Sequence, residues 1–121
     1  MKKVILKKNE ERRIKNGHLW IFSNELQSVE NGTETGDIVE VYDYRQNFIG
    51  SGFYNAHSLI SVRMITDKKD FELTKLLEDN LLSAYNYRKI IYPNRESFRM
   101  VFSESDFLPG LIIDKYNNTF V

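Results

Sequence analysis

Cationic side chains are concentrated near the start of the chain, where they could bind a polyanion. Between Lys2 and Lys15 the sequence has seven lysines and arginines against two glutamates. Lys8, Arg12 and Lys15 recur at spacings of four and three, which would place them on one face of a helix. Cations held on a rigid element are suited to contact the phosphates of nucleic acids. The pattern therefore predicts a phosphate-binding face, with a solvated amphipathic helix as the alternative.

The residues that follow this segment could contact bases. Single-stranded or looped RNA is recognised partly by stacking on aromatic side chains and by hydrogen bonds to base edges, and His18 could supply either. Trp20 is expected in the core, because tryptophan is usually highly buried. Arg63 could bind phosphate, although a surface ion pair explains it as well. The candidate RNA-binding residues are Lys7, Lys8, Arg12, Arg13, Lys15, Gly17, His18 and Arg63.

Other kinds of chemistry have weaker signals. Glu104, Asp106 and Asp114 could perform acid/base work, but a polar turn ahead of a strand accounts for them. His18 and His57 lack the spacing of metal ligands, and the chain has no cysteine. We therefore predict no catalytic, cofactor-binding or metal site within these residues. The absence of cysteine also fits the reducing cytoplasm.

The cationic segment needs a small β-rich unit to position it. The sequence predicts a strand at 3–7 and then a short helix that Asn9 caps and that Asn16 and Gly17 end. From residue 36 the apolar positions alternate with a period of two. Predicted strands at 48–54 and 59–65 follow in hairpin succession, which is typical of a small β-barrel.

The sequence Gly50-Ser51-Gly52 lies inside one of these predicted strands. A nucleotide-binding glycine loop needs a strand before it and a helix after it, and here the strand pattern continues instead. We therefore interpret the two glycines as positions where another backbone approaches closely.

A second unit is predicted to begin after residue 67. A helical pattern covers about 71–91, with Leu73, Leu77, Leu81, Ala84 and Tyr85 on one stripe. Strand-like segments follow. The apolar run that ends at Val121 has no cap, so we interpret the sequence as the front part of a longer protein. We expect domains at 1–67 and 68–121, and a β-rich α+β fold class overall.

Several segments, taken in order, carry a resemblance to one enzyme family. They read GHLWIFSNE from residue 17, GFYN from 52, SLISVR from 58, ESDFLPGL from 104 and DKY from 114. The chain resembles the N-terminal part of bacterial class I rRNA methyltransferases that use S-adenosylmethionine and make 5-methylcytosine in the large subunit.

This resemblance implies a specific organisation. It implies an RNA-binding PUA domain, a small pseudobarrel, over about 1–67, followed by an incomplete α/β linker domain. It also implies that the catalytic Rossmann-like domain, with its S-adenosylmethionine site, lies beyond these residues. The implied partners are large-subunit rRNA and that catalytic domain in cis. The expected location is the cytoplasm, and no membrane association is expected.

Charge leaves a second hypothesis open. The 17 cationic residues equal the 17 acidic ones, so the formal net charge is zero. A neutral chain is compatible with a non-catalytic interaction domain whose barrel docks on protein and has no RNA role. The clustering of positive charge at the start of the chain favours RNA.

Overall fold

The computed structural model describes all residues, 1–121, and they form two compact units, Met1–Asp70 and Phe71–Val121. The predicted domain boundary lies three residues before this division. The first unit contains strands β1 (Lys2–Leu6), β2 (Trp20–Phe22), β3 (Leu26–Val29), β4 (Ile38–Tyr42), β5 (Phe48–Tyr54) and β6 (Ile60–Thr66), and helix α1 (Glu11–Lys15). A 3-10 turn, Ser23–Glu25, joins β2 to β3.

The six strands of the first unit form one sheet in the order β2-β6-β5-β4-β1-β3. Only the β1–β4 pair is parallel, and the other neighbours are antiparallel. Alternate residues point into a core whose fully buried members include Val4, Ile21, Val39 and Val62. This mostly antiparallel six-stranded sheet confirms the predicted β-rich fold class of the first unit.

Close packing of β5 against β6 explains the two glycines of the Gly50-Ser51-Gly52 segment. A Cβ atom at Gly52 would lie 2.4 Å from the carbonyl oxygen of Arg63. One at Gly50 would lie 2.6 Å from the carbonyl oxygen of Thr66. Both distances are too short for a side chain, so the prediction of close backbone approach within a strand is confirmed.

The start of α1 differs from the prediction. Asn9 has a φ of 70°, and no side chain caps the helix, which begins at Glu11. The left-handed backbone at Asn9 separates Lys8 from the helix. The expectations that Asn9 caps α1 and that Lys8 shares its face with Arg12 and Lys15 were therefore wrong.

The second unit contains α2 (Leu73–Ile91), β7 (Ser97–Phe102), β8 (Ile112–Tyr116) and β9 (Thr119–Phe120). The strands form an antiparallel sheet in that order. Ala84 of α2 packs with Val101 and Leu108, and Leu77 and Leu81 lie against the same cluster. The helix and its apolar stripe thus follow the sequence prediction. Neither α1 nor α2 has the length and apolar character needed to cross a membrane.

Candidate nucleic-acid interface

The end of α1 fixes the positions of Gly17 and His18. The Gly17 N–H donates to the carbonyl of Ile14 at 3.0 Å, and the His18 N–H donates to that of Arg13 at 3.0 Å. Gly17 has a φ of 98°, which a residue with a Cβ rarely adopts. This pair of bonds is the Schellman arrangement that ends many helices. The predicted C-cap is confirmed, and both residues are exposed directly after the cationic helix.

The turn between β4 and β5 carries an aromatic side chain flanked by cations. The Nζ of Lys8 lies 5.9 Å from the centroid of the Tyr44 ring. The guanidinium carbon of Arg45 lies 5.3 Å from the same centroid, and its Nε donates to the Tyr44 hydroxyl at 2.8 Å. Two cations therefore flank one partly exposed ring.

A buried carboxylate gives this turn its shape. One oxygen of Asp43 accepts hydrogen bonds from the N–H groups of Arg45 and Asn47, each at 2.9 Å. Burial alone would raise the pKa of Asp43, but the bonds from Asn47 and Arg45 outweigh it and hold the pKa below its usual value. The positive charge of Lys15 lowers this pKa further. Helix α1 also contacts β5, the strand that follows this turn.

Arg12 extends the group. It is exposed, and its guanidinium donates to the side-chain oxygen of Asn9 at 3.4 Å, beside Lys8. Lys7 is exposed directly before Lys8. We use the name cationic surface for Lys8, Arg12, Lys15, Tyr44 and Arg45. Its cations come from three separate parts of the first unit, and two of them, Lys8 and Arg45, flank the Tyr44 ring.

Arg13 has different partners from its neighbour Arg12. Its guanidinium contacts the Glu25 carboxylate at 3.2 Å and lies 5.2 Å from the centroid of the Phe22 ring. The Glu25 side chain is only 7% exposed and also accepts a hydrogen bond from the Phe22 N–H at 2.9 Å. Arg13 therefore compensates a nearly buried charge, a structural role that sequence spacing could not separate from phosphate binding.

Trp20 and Arg63 form a second arginine–aromatic pair. They face each other across β2 and β6, and the Arg63 guanidinium lies 5.3 Å from the indole centroid. Trp20 is 38% exposed, so the prediction that it lies in the core was wrong. Its neighbour Ile21 points inward instead and is fully buried.

The structure adds cations that the sequence analysis missed. Lys3 and Lys69 both approach the Tyr42 ring, at 5.1 and 5.8 Å from its centroid. Arg45 of the cationic surface was also missed. No spacing rule in the sequence linked these three cations to an aromatic residue. The pairing of β1 with β4 brings Lys3 near Tyr42, whereas Arg45 directly follows Tyr44 in sequence.

The acidic residues of the second unit have structural partners. Asp106 pairs with Arg88 through two hydrogen bonds of 2.8 and 2.9 Å, and Asp114 pairs with Arg99. Glu104 accepts a hydrogen bond from the hydroxyl of Ser103. These contacts fit the interpretation of a polar turn ahead of a strand rather than acid/base chemistry.

Comparison with known sequences agrees with this geometry. The family described as PUA-like domain matches residues 4–67. Ribosomal RNA large subunit methyltransferase I from Alteromonas mediterranea is 36% identical over 121 residues, which cover 98% of this chain. The protein of the same name from Tolumonas auensis is 32% identical with the same coverage of this chain. The alignment covers 30% of each relative, so the chain spans under a third of their length.

Two solved structures share the fold. One is named as a methyltransferase and is complexed with SAH. Its TM-score is 0.81 and its sequence identity is 18%, and the alignment covers 99% of this chain and 31% of that protein's chain. The other, named as a SAM-dependent methyltransferase from Streptococcus mutans, has a TM-score of 0.80, 15% identity and coverages of 99% and 32%. At these identities the likeness establishes the fold alone. With the sequence relatives, the inferred resemblance to the N-terminal part of large-subunit rRNA methyltransferases is confirmed.

Proposed function

Because this chain belongs to the family of PUA-like domains, we propose that its first unit binds RNA. The observation that supports this most is the cationic surface, in which Lys8 and Arg45 flank the Tyr44 ring and Arg12 and Lys15 are exposed on helix α1. Phosphates would pair with the cations, and an unpaired nucleotide could rest on the ring. The exposed Lys7, Gly17 and His18 border this surface, and His18 could hydrogen-bond a base edge.

We further propose that the RNA is large-subunit rRNA and that the chain directs an S-adenosylmethionine-dependent methyltransferase to it. This proposal is supported by two facts: the relatives are named as ribosomal RNA large subunit methyltransferases, and their alignments cover 98% of this chain. Cofactor binding and methyl transfer to the C5 position of cytosine would then belong to parts of such an enzyme outside these residues. The second unit would act as the linker domain, and the enzyme would work in the cytoplasm.

Salt dependence tests the RNA proposal. Affinity for a single-stranded rRNA fragment would be measured by fluorescence anisotropy of labelled RNA over a range of salt concentrations. Contact with about four phosphates gives a slope near −3 for log affinity against log salt. The double variant Arg12→Glu, Lys15→Glu should bind weakly and reduce the slope, because the attraction to phosphate is lost. Arg13 is left unchanged, since a carboxylate there would face buried Glu25.

A charge-matched control separates local contact from net charge. Lys75→Glu, Lys89→Glu changes the total charge equally but alters α2 of the second unit. We expect this control to keep the affinity and the slope of the natural chain. Equal losses in both double variants would show that only net charge matters, and no binding by the natural chain would favour the protein-docking function instead.

A further inference from the structure

The only tryptophan of the chain lies on an edge strand and keeps much of its ring surface in solvent. Trp20 begins β2, the terminal strand of the six-stranded sheet, and is 38% exposed. Packing of the hydrophobic core does not explain why a tryptophan stands at this position. The inward-facing residue of β2 is Ile21, which is fully buried among the core side chains.

Strand register holds a guanidinium against this ring. Trp20 pairs with Arg63 on β6, and Arg63 pairs with Phe53 on β5. Directly paired residues point to the same side of a sheet, so the three side chains form a row. The Arg63 guanidinium lies 5.3 Å from the indole centroid, within the range of a cation–π contact.

An exposed indole beside a fixed cation matches what unpaired nucleotides require. Proteins that bind single-stranded nucleic acid stack bases on aromatic side chains and attract the backbone with nearby cations. Phe22, the other outward aromatic residue of β2, carries Arg13 at 5.2 Å, but that arginine is held by Glu25. The Trp20 ring is also more exposed than the Phe22 ring, so it is the better placed of the two to contact a ligand.

We propose that Trp20 and Arg63 form a stacking site for one unpaired base of bound RNA, with Arg63 attracting the adjacent phosphate. The proposal rests on the proposed function, since it requires that the first unit binds RNA. It adds a base-contacting residue that lies apart from the cationic surface. Because every base has a flat aromatic face, this site would select unpaired over paired RNA rather than a particular sequence.

The single tryptophan makes the test direct. The full chain would be titrated with single-stranded oligouridylate, and indole emission would be followed together with the anisotropy of the labelled RNA. Stacking should quench the emission along the same curve as binding. Heparin, a polyanion without bases, should compete for the protein and leave the emission unchanged. Trp20→Ala should weaken RNA binding about tenfold, whereas Trp20→Phe, which keeps an aromatic face, should lose less.

Controls keep this result distinct from misfolding and from failure of the proposed function. Leu59→Ala removes another exposed apolar side chain of the first unit, 78% exposed, and should leave the affinity unchanged. Binding by anisotropy with unchanged emission, and equal affinity for Trp20→Ala and the natural chain, would overturn the stacking site while RNA binding stands. Absence of any binding would overturn both proposals.

Discussion

Removal of Arg88 should destabilise the second unit severely. The Arg88 and Asp106 side chains are only 12% and 7% exposed and are joined by two hydrogen bonds of 2.8 and 2.9 Å. The Phe102 N–H donates to the same carboxylate at 2.7 Å. In an Arg88→Met variant the aliphatic volume remains, but the carboxylate keeps only that one donor.

The expected loss is large for a unit of this size. Removing one partner of a buried ion pair costs about 3–5 kcal/mol, because the other charge is left uncompensated. Since Arg88 reaches the surface, we expect a value of about 3 kcal/mol. At roughly 0.05–0.15 kcal/mol per residue, the second unit has a stability of only several kcal/mol. Arg88→Met should therefore populate its unfolded form measurably.

The pH dependence of this loss has a definite sign. Burial alone would raise the pKa of Asp106, but the hydrogen bonds from Arg88 and Phe102 hold it below its usual value. The stabilisation is therefore complete above the unfolded-state pKa, about 3.9, and is lost as the pH falls through the folded-state pKa. Without Arg88 the carboxyl group of Asp106 can take up a proton more easily. The difference between Arg88→Met and the natural chain should shrink as the pH approaches 4.

Amide hydrogen exchange measures this effect segment by segment, with a matched control in the same unit. Arg99 and Asp114 form a similar two-bond pair, but their side chains are 52% and 25% exposed. Arg99→Met should leave exchange nearly unchanged, because exposed pairs contribute little. Arg88→Met should accelerate exchange within Phe71–Val121. Equal, small effects of the two variants would refute the idea that burial makes the Arg88 pair important.

Two further predictions concern the first unit. Asp43→Ala should destabilise it more than Asp43→Asn, because asparagine keeps one oxygen that can accept the hydrogen bonds of the turn. The folded-state pKa of Asp43 is lowered, so protonation of this carboxylate contributes to acid unfolding of the natural chain. Both variants should lack that contribution, which a pH titration followed by circular dichroism would show. Gly52→Ala should cost about 1–3 kcal/mol in a urea titration, because its Cβ would meet the Arg63 carbonyl oxygen at 2.4 Å; a loss below the error of that titration would mean that β5 shifts freely.

Features set by neighbours in sequence could be predicted from the sequence. The strand at 48–54 was predicted with the bounds that β5 has, because turn residues lie on both sides of it. The end of α1 at Asn16 was likewise signalled by Gly17, whose φ of 98° follows from the helix-ending turn. In both cases the determining residues lie within one or two turns of the element.

Features set by contacts distant in sequence could not be predicted. The carboxylates of Asp106 and Asp114 looked like a possible constellation because they are close in sequence. Their partners, Arg88 and Arg99, lie 18 and 15 residues away and meet them only through packing and strand pairing. The same holds for Arg13, whose role depends on Glu25 across the α1–β2 connection.

Trp20 shows why residue type alone can misplace a side chain. In the segment Trp20–Phe22 all three residues are apolar, so a period of two cannot reveal which of them points inward. Pairing with β6 decides it: Ile21 faces Val62 in the core, and Trp20 therefore shares the opposite side with Arg63. A large ring left outside by register, on a strand with no further neighbour, loses the stabilisation that burial would give it. Stacking of a base, as proposed, would give that exposed ring a role, and its emission during RNA titration is the measurement that tests it.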